Sequence, residues 1–149
     1  FVYNLKAYGA KGVVMFNRFY SPDIDISKLK IIPADAFSNE SESLRELRWM
    51  GIASALVPGI DLAASTGIHT GETAIKQILA GASAVQMCTA LYKRGAEAIS
   101  DVNQEILLFM EKHGFNSIRD FRGMLNYSNI ENPREFERVQ FMKNFGGKV

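Results

Sequence analysis

The chain has 149 residues, a formal net charge of +1 and one cysteine, Cys88. Its hydrophobic fraction of 47% and charged fraction of 22% are globular, not disordered. The near-zero charge gives no electrostatic case for nucleic acid, no apolar run is long enough for a membrane span, and a lone cysteine excludes an internal disulfide framework or a multi-cysteine zinc site. With no charged-then-apolar secretory segment in these residues, the expected location is the cytoplasm.

Residues 1–8 read as the closing turns of a helix, with Gly9 as its left-handed cap. Residues 12–16, Gly-Val-Val-Met-Phe, form a short apolar run, the pattern of a strand buried on both faces of a parallel sheet. The run stops at Asn17-Arg18. Residues 19–41 carry Pro22, Pro33 and a Ser/Asn/Glu cluster and read as a long irregular connection. Within it, Ile24, Ile26, Leu29, Ile31 and Ile32 suit one or two short strands. Ser43-Leu-Arg-Glu46 is a capping box opening a helix to Leu56, broken by Pro58-Gly59. Residues 60–64 form a second strand, ending at Ser65-Thr66-Gly67. A helix over 72–80 buries Ala74, Ile75, Ile78 and Leu79, with Gly81 as its cap. Residues 84–87 form a third strand, ending at Cys88-Thr89. Residues 96–113 carry Ile99, Val102, Ile106 and Met110 at spacings of three and four, the stripe of a helix on a sheet. Gly114 ends it. Ser117-Ile-Arg-Asp120 opens a short helix, and Asn132-Pro133 opens the last one, with proline at its first position. The alternation implies parallel β/α units.

Ligands of parallel β/α folds bind at the carboxyl ends of the strands. Here those ends are Asn17-Arg18, residues 65–71 (Ser-Thr-Gly-Ile-His-Thr-Gly) and Cys88-Thr89-Ala90. Gly67 just past a strand lets backbone N–H groups approach an anion, and the following helix points its positive end there. With Cys88 and Thr89 on the neighbouring strand end, a phosphate cup results. A tight turn with a helix cap explains Thr66-Gly67 equally well. Asn17 suits a carboxylate or a ring amide, or is a turn residue. Arg18 suits an anion, or pairs with Asp23 or Asp25. Cys88 is a nucleophile only if its pKa is lowered, and otherwise a small buried residue. His69 reads as a solvent-facing loop residue on the cup's rim, and His113 as a charge complement to a helix end. No Ser-His-Asp arrangement or metal-ligand cluster stands out in the sequence.

Residues 65–72 (Ser-Thr-Gly-Ile-His-Thr-Gly-Glu), 78–82 (Ile-Leu-Ala-Gly-Ala), 85–91 (Val-Gln-Met-Cys-Thr-Ala-Leu), 93–95 (Lys-Arg-Gly) and 117–123 (Ser-Ile-Arg-Asp-Phe-Arg-Gly) together resemble the carboxyl-terminal part of dihydroorotate dehydrogenases. Residues 17–25 (Asn-Arg-Phe-Tyr-Ser-Pro-Asp-Ile-Asp), Leu47-Arg-Trp49 and residues 135–142 are similar to the bacterial dihydroorotate dehydrogenase-like branch of that family. The resemblance implies a (β/α)8 barrel that holds FMN at its carboxyl face and oxidises dihydroorotate to orotate in pyrimidine synthesis. A cysteine or serine base takes a proton from C5 and hydride passes from C6 to the flavin. It implies that the strands here are the sixth, seventh and eighth. Thr66 and Gly67 match a Gly-Gly pair that binds the FMN phosphate through backbone amides. Cys88 and Thr89 match a Gly-Thr pair that completes the phosphate site. Asn17 matches an asparagine contacting the orotate ring, and Arg18 falls where the family often has serine.

The sequence departs from that pattern in stated ways. Thr66 replaces a glycine, Cys88 replaces the glycine before Thr89 and narrows the cup, and residues 37–43 stand where a glycine-rich loop is usual. The family's catalytic base and its flavin-contacting lysine lie in the first five strands, so no residue here is expected to be catalytic. A barrel of this type needs about 250 residues. The expectation is therefore an α/β chain whose residues 1–149 are the carboxyl-terminal three β/α units of an incomplete (β/α)8 TIM barrel plus terminal helices. Such a chain is a homo-oligomer or joins a complementing barrel half. The alternatives are a non-catalytic fragment that needs a partner chain, and another FMN barrel oxidoreductase with a different substrate.

Overall fold

The structure is a computed structural model that describes residues 1–19 and 21–137. Tyr20 and residues 138–142 of the motifs above lie outside the described residues.

Three strands, β1 (Gly12–Met15), β4 (Asp61–Ala64) and β5 (Ala84–Val85), form a parallel sheet in the order β1-β4-β5. The register pairs Gly12 with Asp61 and Met15 with Ala64, then Ala64 with Val85. The ladder runs one residue past the strands, where Ser65 N–H donates to Met15 O at 2.8 Å and Gln86 N–H to Ala64 O at 2.8 Å. That register sets the three strand ends side by side. The strand alternation splits the side chains between two faces. Val13, Met15, Leu62, Ala64 and Val85 pack under helices, in a core with Met50, Ala80 and Ala82. Val14, on the other face of β1, is 50% exposed. β1 is therefore not buried on both faces as its apolar run suggested, because helices cover only one side of the sheet among the described residues.

Helix α1 (Val2–Ala7) precedes β1, and Gly9 after it is left-handed at φ +95°. The long connection contains an antiparallel hairpin of β2 (Pro22–Asp25) and β3 (Lys30–Pro33). Asp25 Oδ1 caps its turn by accepting from the N–H groups of Ser27 and Lys28 at 3.0 Å each. Helix α2 (Ser43–Leu56) starts where expected but not through Ser43. The capping box is Asn39 with Glu42, which opens a single 3-10 turn, Glu40–Glu42, leading into the helix. Ser43 instead donates its hydroxyl to the Glu40 carbonyl.

Helix α3 (Gly71–Ala80) is capped by Thr70, whose Oγ1 accepts from Thr73 N–H, and closes on left-handed Gly81. Two further helices follow, α4 (Thr89–Arg94) and α5 (Glu97–His113). The sequence reading missed α4 and ran the third strand to residue 87. On α5, Val102 and Ile106 are buried as expected, but Ile99 is 47% exposed while Ala98 takes the inward position at 0%. Val102 and Ile106 join Ile68, Ala74, Ile75, Ile78 and Phe121 in a second core cluster. Phe121 closes α6 (Ile118–Phe121), opened by the expected Ser117–Asp120 box. In α7 (Arg134–Glu137), Pro133 stands one residue before the helix, not inside it. Among the described residues no helix is long and apolar enough to cross a membrane.

Candidate functional site

A cavity of about 190 Å³ opens at the carboxyl ends of the three parallel strands. Its lining includes Asn17 and Arg18 after β1, Thr66 and Gly67 after β4, and Cys88 and Thr89 after β5. The residues singled out from sequence therefore meet at one place. Ser38, which the sequence reading passed over, lines the same cavity.

Each wall has a local cause. Thr66 and Gly67 are both left-handed, at φ +74° and +73°. The Thr66 hydroxyl donates to the Phe16 carbonyl at 2.9 Å, which holds a side chain where a glycine is the ordinary choice. Gly67 has no room for one. A Cβ there would lie 2.5 Å from Ser43 N and 3.0 Å from Asn39 O. Gly67 is buried, and among the described residues its N–H has no acceptor.

Arg18 pairs with neither Asp23 nor Asp25. Its Nε donates to Glu42 Oε2 at 2.9 Å and its Nη1 to the Asp35 carbonyl. Asp25 pairs with Lys28 instead, at 3.2 Å. Burial pushes the Glu42 carboxyl up, but the Arg18 guanidinium and the Asn39 N–H more than offset that and hold it below the ordinary value. Cys88 is exposed, not the small buried residue expected, because period two along residues 84–88 turns Ala84, Gln86 and Cys88 away from the helix-covered face.

His69 is not a free loop histidine. It is half-buried, and its Nε2 lies 2.9 Å from Ser38 Oγ. Ser38 in turn reaches Thr89, with both its N–H and its hydroxyl at 3.1 Å from Thr89 Oγ1. Arg94 donates to the His69 carbonyl. Burial lowers the His69 pKa below its ordinary value. Glu40 and Glu42 oppose this, and Lys93 and Arg94 add to it. No sequence pattern marks Ser38 as Thr89's partner across 51 residues.

The cavity is a small, largely apolar cup that carries neutral donors, backbone N–H groups and one paired guanidinium. A family model for dihydroorotate dehydrogenase matches residues 43–110, which contain β4, α3, β5 and most of the cup. Over this region the chain is similar to dihydroorotate dehydrogenases. A protein of Streptococcus agalactiae serotype Ia, provisionally named dihydroorotate dehydrogenase A (fumarate), is 43% identical to it over 72 residues, which is 48% of this chain and 23% of that protein. A Streptococcus pneumoniae R6 protein, also provisionally named dihydroorotate dehydrogenase A (fumarate), is 40% identical over 72 residues with the same coverage. The aligned stretch thus spans about a quarter of these relatives. Among solved structures, ligand-free dihydroorotate dehydrogenase of Eimeria tenella superposes with a TM-score of 0.64 at 24% identity, covering 80% of this chain and 34% of that one. This chain therefore shares the α/β fold and parallel sheet of part of that structure.

Proposed function

We propose that this chain forms the FMN-phosphate end of a cytoplasmic oxidoreductase that converts dihydroorotate to orotate in pyrimidine synthesis. The observation that supports it is the convergence of Asn17, Thr66, Gly67, Cys88 and Thr89 on one cavity at the carboxyl ends of parallel strands. On this reading β1, β4 and β5 are the sixth, seventh and eighth strands of a (β/α)8 barrel. The open face carrying Val14 then looks into the lumen, and the proton-abstracting base comes from earlier strands outside this sequence.

The residues fit one end of the cofactor. A cavity of about 190 Å³ is smaller than the roughly 300–1,000 Å³ of a whole-ligand pocket. The Gly67 N–H and the Thr89 hydroxyl supply donors for a phosphate, and Arg18 stands nearby with its charge offset by its pair with Glu42. Asn17, exposed beside them, presents both a donor and an acceptor to a ring amide. When bound, FMN supplies the hydride-accepting ring, while these side chains hold and orient it.

The test compares FMN with riboflavin, which lacks the phosphate. Flavin fluorescence should show saturable FMN binding that Thr89→Val weakens by roughly tenfold, the worth of about 1.4 kcal/mol. Riboflavin binding should be weaker and indifferent to the substitution. Protein that neither turns yellow nor quenches FMN fluorescence would contradict the reading. Turnover of dihydroorotate by the 149-residue chain alone would contradict placing the base elsewhere.

The open sheet favours a second reading, a non-catalytic barrel piece that pairs with a chain supplying further strands. Outer strands β1 and β5 each have a neighbour on one side only among the described residues. Colourless protein that elutes as a larger assembly would favour this reading.

A further inference from the structure

The hydrogen bonds from His69 through Ser38 to Thr89 can be wired in two ways. Thr89 Oγ1 accepts the Ser38 N–H in either case. In the first wiring His69 Nε2–H donates to Ser38 Oγ, the Ser38 hydroxyl donates to Thr89 Oγ1, and the Thr89 proton is left to point elsewhere. Among the described residues Thr89 then has no acceptor, and the space it lines is the cup. The geometry as it stands is the first wiring, with Ser38 Oγ the donor to Thr89 Oγ1. In the second wiring the Thr89 side chain turns so that its hydroxyl donates to Ser38, the Ser38 hydroxyl donates to an unprotonated Nε2, and Thr89 offers the cup no proton.

We propose that His69 is a positioning residue for the cup: through Ser38 it decides whether the Thr89 hydroxyl donates into the cavity or back towards the histidine. This rests on the reading of the cup as a phosphate site. Imidazolium permits only the first wiring, since both of its nitrogens carry protons. Neutral imidazole permits both. The relay is shielded, because Ser38 and Thr89 are each 8% exposed. The charged groups around His69 are Glu40 and Glu42 before α2 and Lys93 and Arg94 at the end of α4. Their opposed effects, with burial, leave the ring mostly neutral near pH 7, so an anion in the cup selects the wiring. Linkage then works in both directions. An anion that takes the Thr89 proton raises the proton affinity of His69, and protonated His69 binds the anion more tightly.

Two histidines, His69 and His113, are the only ones in the chain, so ring C–H resonances give two separable titrations. Sulfate is the probe, since it stays a dianion across about pH 5 to 8, where histidine titrates. Sulfate should raise the His69 pKa and leave that of His113, at the far end of α5, unmoved. His69→Ala should weaken FMN roughly three- to tenfold, the worth of one hydrogen bond. Ser38→Ala removes the acceptor that competes with the cup for the Thr89 proton, so it should not weaken FMN, and the double variant should bind as Ser38→Ala does. His69→Gln, which keeps an N–H donor, should restore binding, and riboflavin should respond to none of them. If His69→Ala does not fold, the titration of the unaltered protein still decides. FMN binding with a sulfate-independent His69 pKa, or undiminished in His69→Ala, overturns the relay and leaves the phosphate site standing. No binding of either FMN or sulfate by the unaltered protein overturns the phosphate site and the relay with it.

Discussion

The Thr66 hydroxyl and the Phe16 carbonyl, 2.9 Å apart, tie the end of β4 to the end of β1 while Thr66 itself is left-handed at φ +74°. Left-handed backbone at a residue with a Cβ costs roughly 1–2 kcal/mol, and a net hydrogen bond returns about 1 kcal/mol. Thr66→Gly removes both and should unfold in urea within about 1 kcal/mol of the unaltered protein. Thr66→Val keeps the strain and loses the bond, so it should lose about 1–2 kcal/mol. Equal stability of the valine variant would show that the bond does not hold the strand end.

Gly67 is a sharper case, because backbone stands on the side where its Cβ would go. Gly67→Ala meets Ser43 N at 2.5 Å on top of a φ of +73°. A loss of about 2–4 kcal/mol is expected from overpacking and left-handed strain together. The start of α2 would shift with it, which near-ultraviolet circular dichroism at Trp49 should register. A variant as stable as the unaltered protein would mean that the 39–43 turn gives way freely.

Much of this architecture is local and was legible in the sequence. The apolar runs of β1 and β4, the caps Gly81 and Gly114 and the Ser117–Asp120 box each need only a few adjacent residues. The misreadings arose where two local signals compete or where tertiary packing decides. Asn39–Glu42 outcompeted the Ser43 box one turn later. Ala98 faces inward in place of Ile99, an outcome of tertiary packing that the apolar stripe does not encode. Strand ends pointed to Asn17, Thr66, Gly67, Cys88 and Thr89, but their shared cavity needs the register of three strands. Ser38 and the half-buried state of His69 come from a loop folding back over the cup, which no periodicity encodes.

Phe121 anchors the carboxyl-terminal segment. It is 0% exposed and sits between Phe109 and Phe115, with ring centroids 5.3 and 5.4 Å away. Just after it, Gly123 N–H donates to Ile78 O and Leu125 N–H to Leu79 O, both at 2.9 Å. Phe121→Ala should cost about 3–5 kcal/mol, and Phe121→Leu distinctly less. Limited proteolysis should cut the alanine variant in residues 114–130 first. Unchanged protection there would mean that the two backbone bonds hold the segment without the ring.

Glu46 on α2 gives a pH dependence of known sign. Burial pushes its carboxyl from the ordinary 4.5 up to about 7, with Arg45 opposing and Glu42 adding to the rise. It lines a second cavity with Asn17, Arg18, Trp49 and Thr66. Between pH 4.5 and about 7 the folded chain therefore binds more of this proton than the unfolded chain does. Its contribution is fully present below the lower value and is lost as pH rises through the upper one. His69, with its pKa lowered, works in the opposite direction near pH 6.5. Raw stability curves thus mix the two, and the comparison with Glu46→Gln isolates the carboxyl. The urea midpoint of the glutamine variant, measured relative to the unaltered protein, should rise from pH 5 to about 7 and level off above it. A constant difference across that range would mean that Glu46 titrates at its ordinary value and that the second cavity is open to water at its carboxyl.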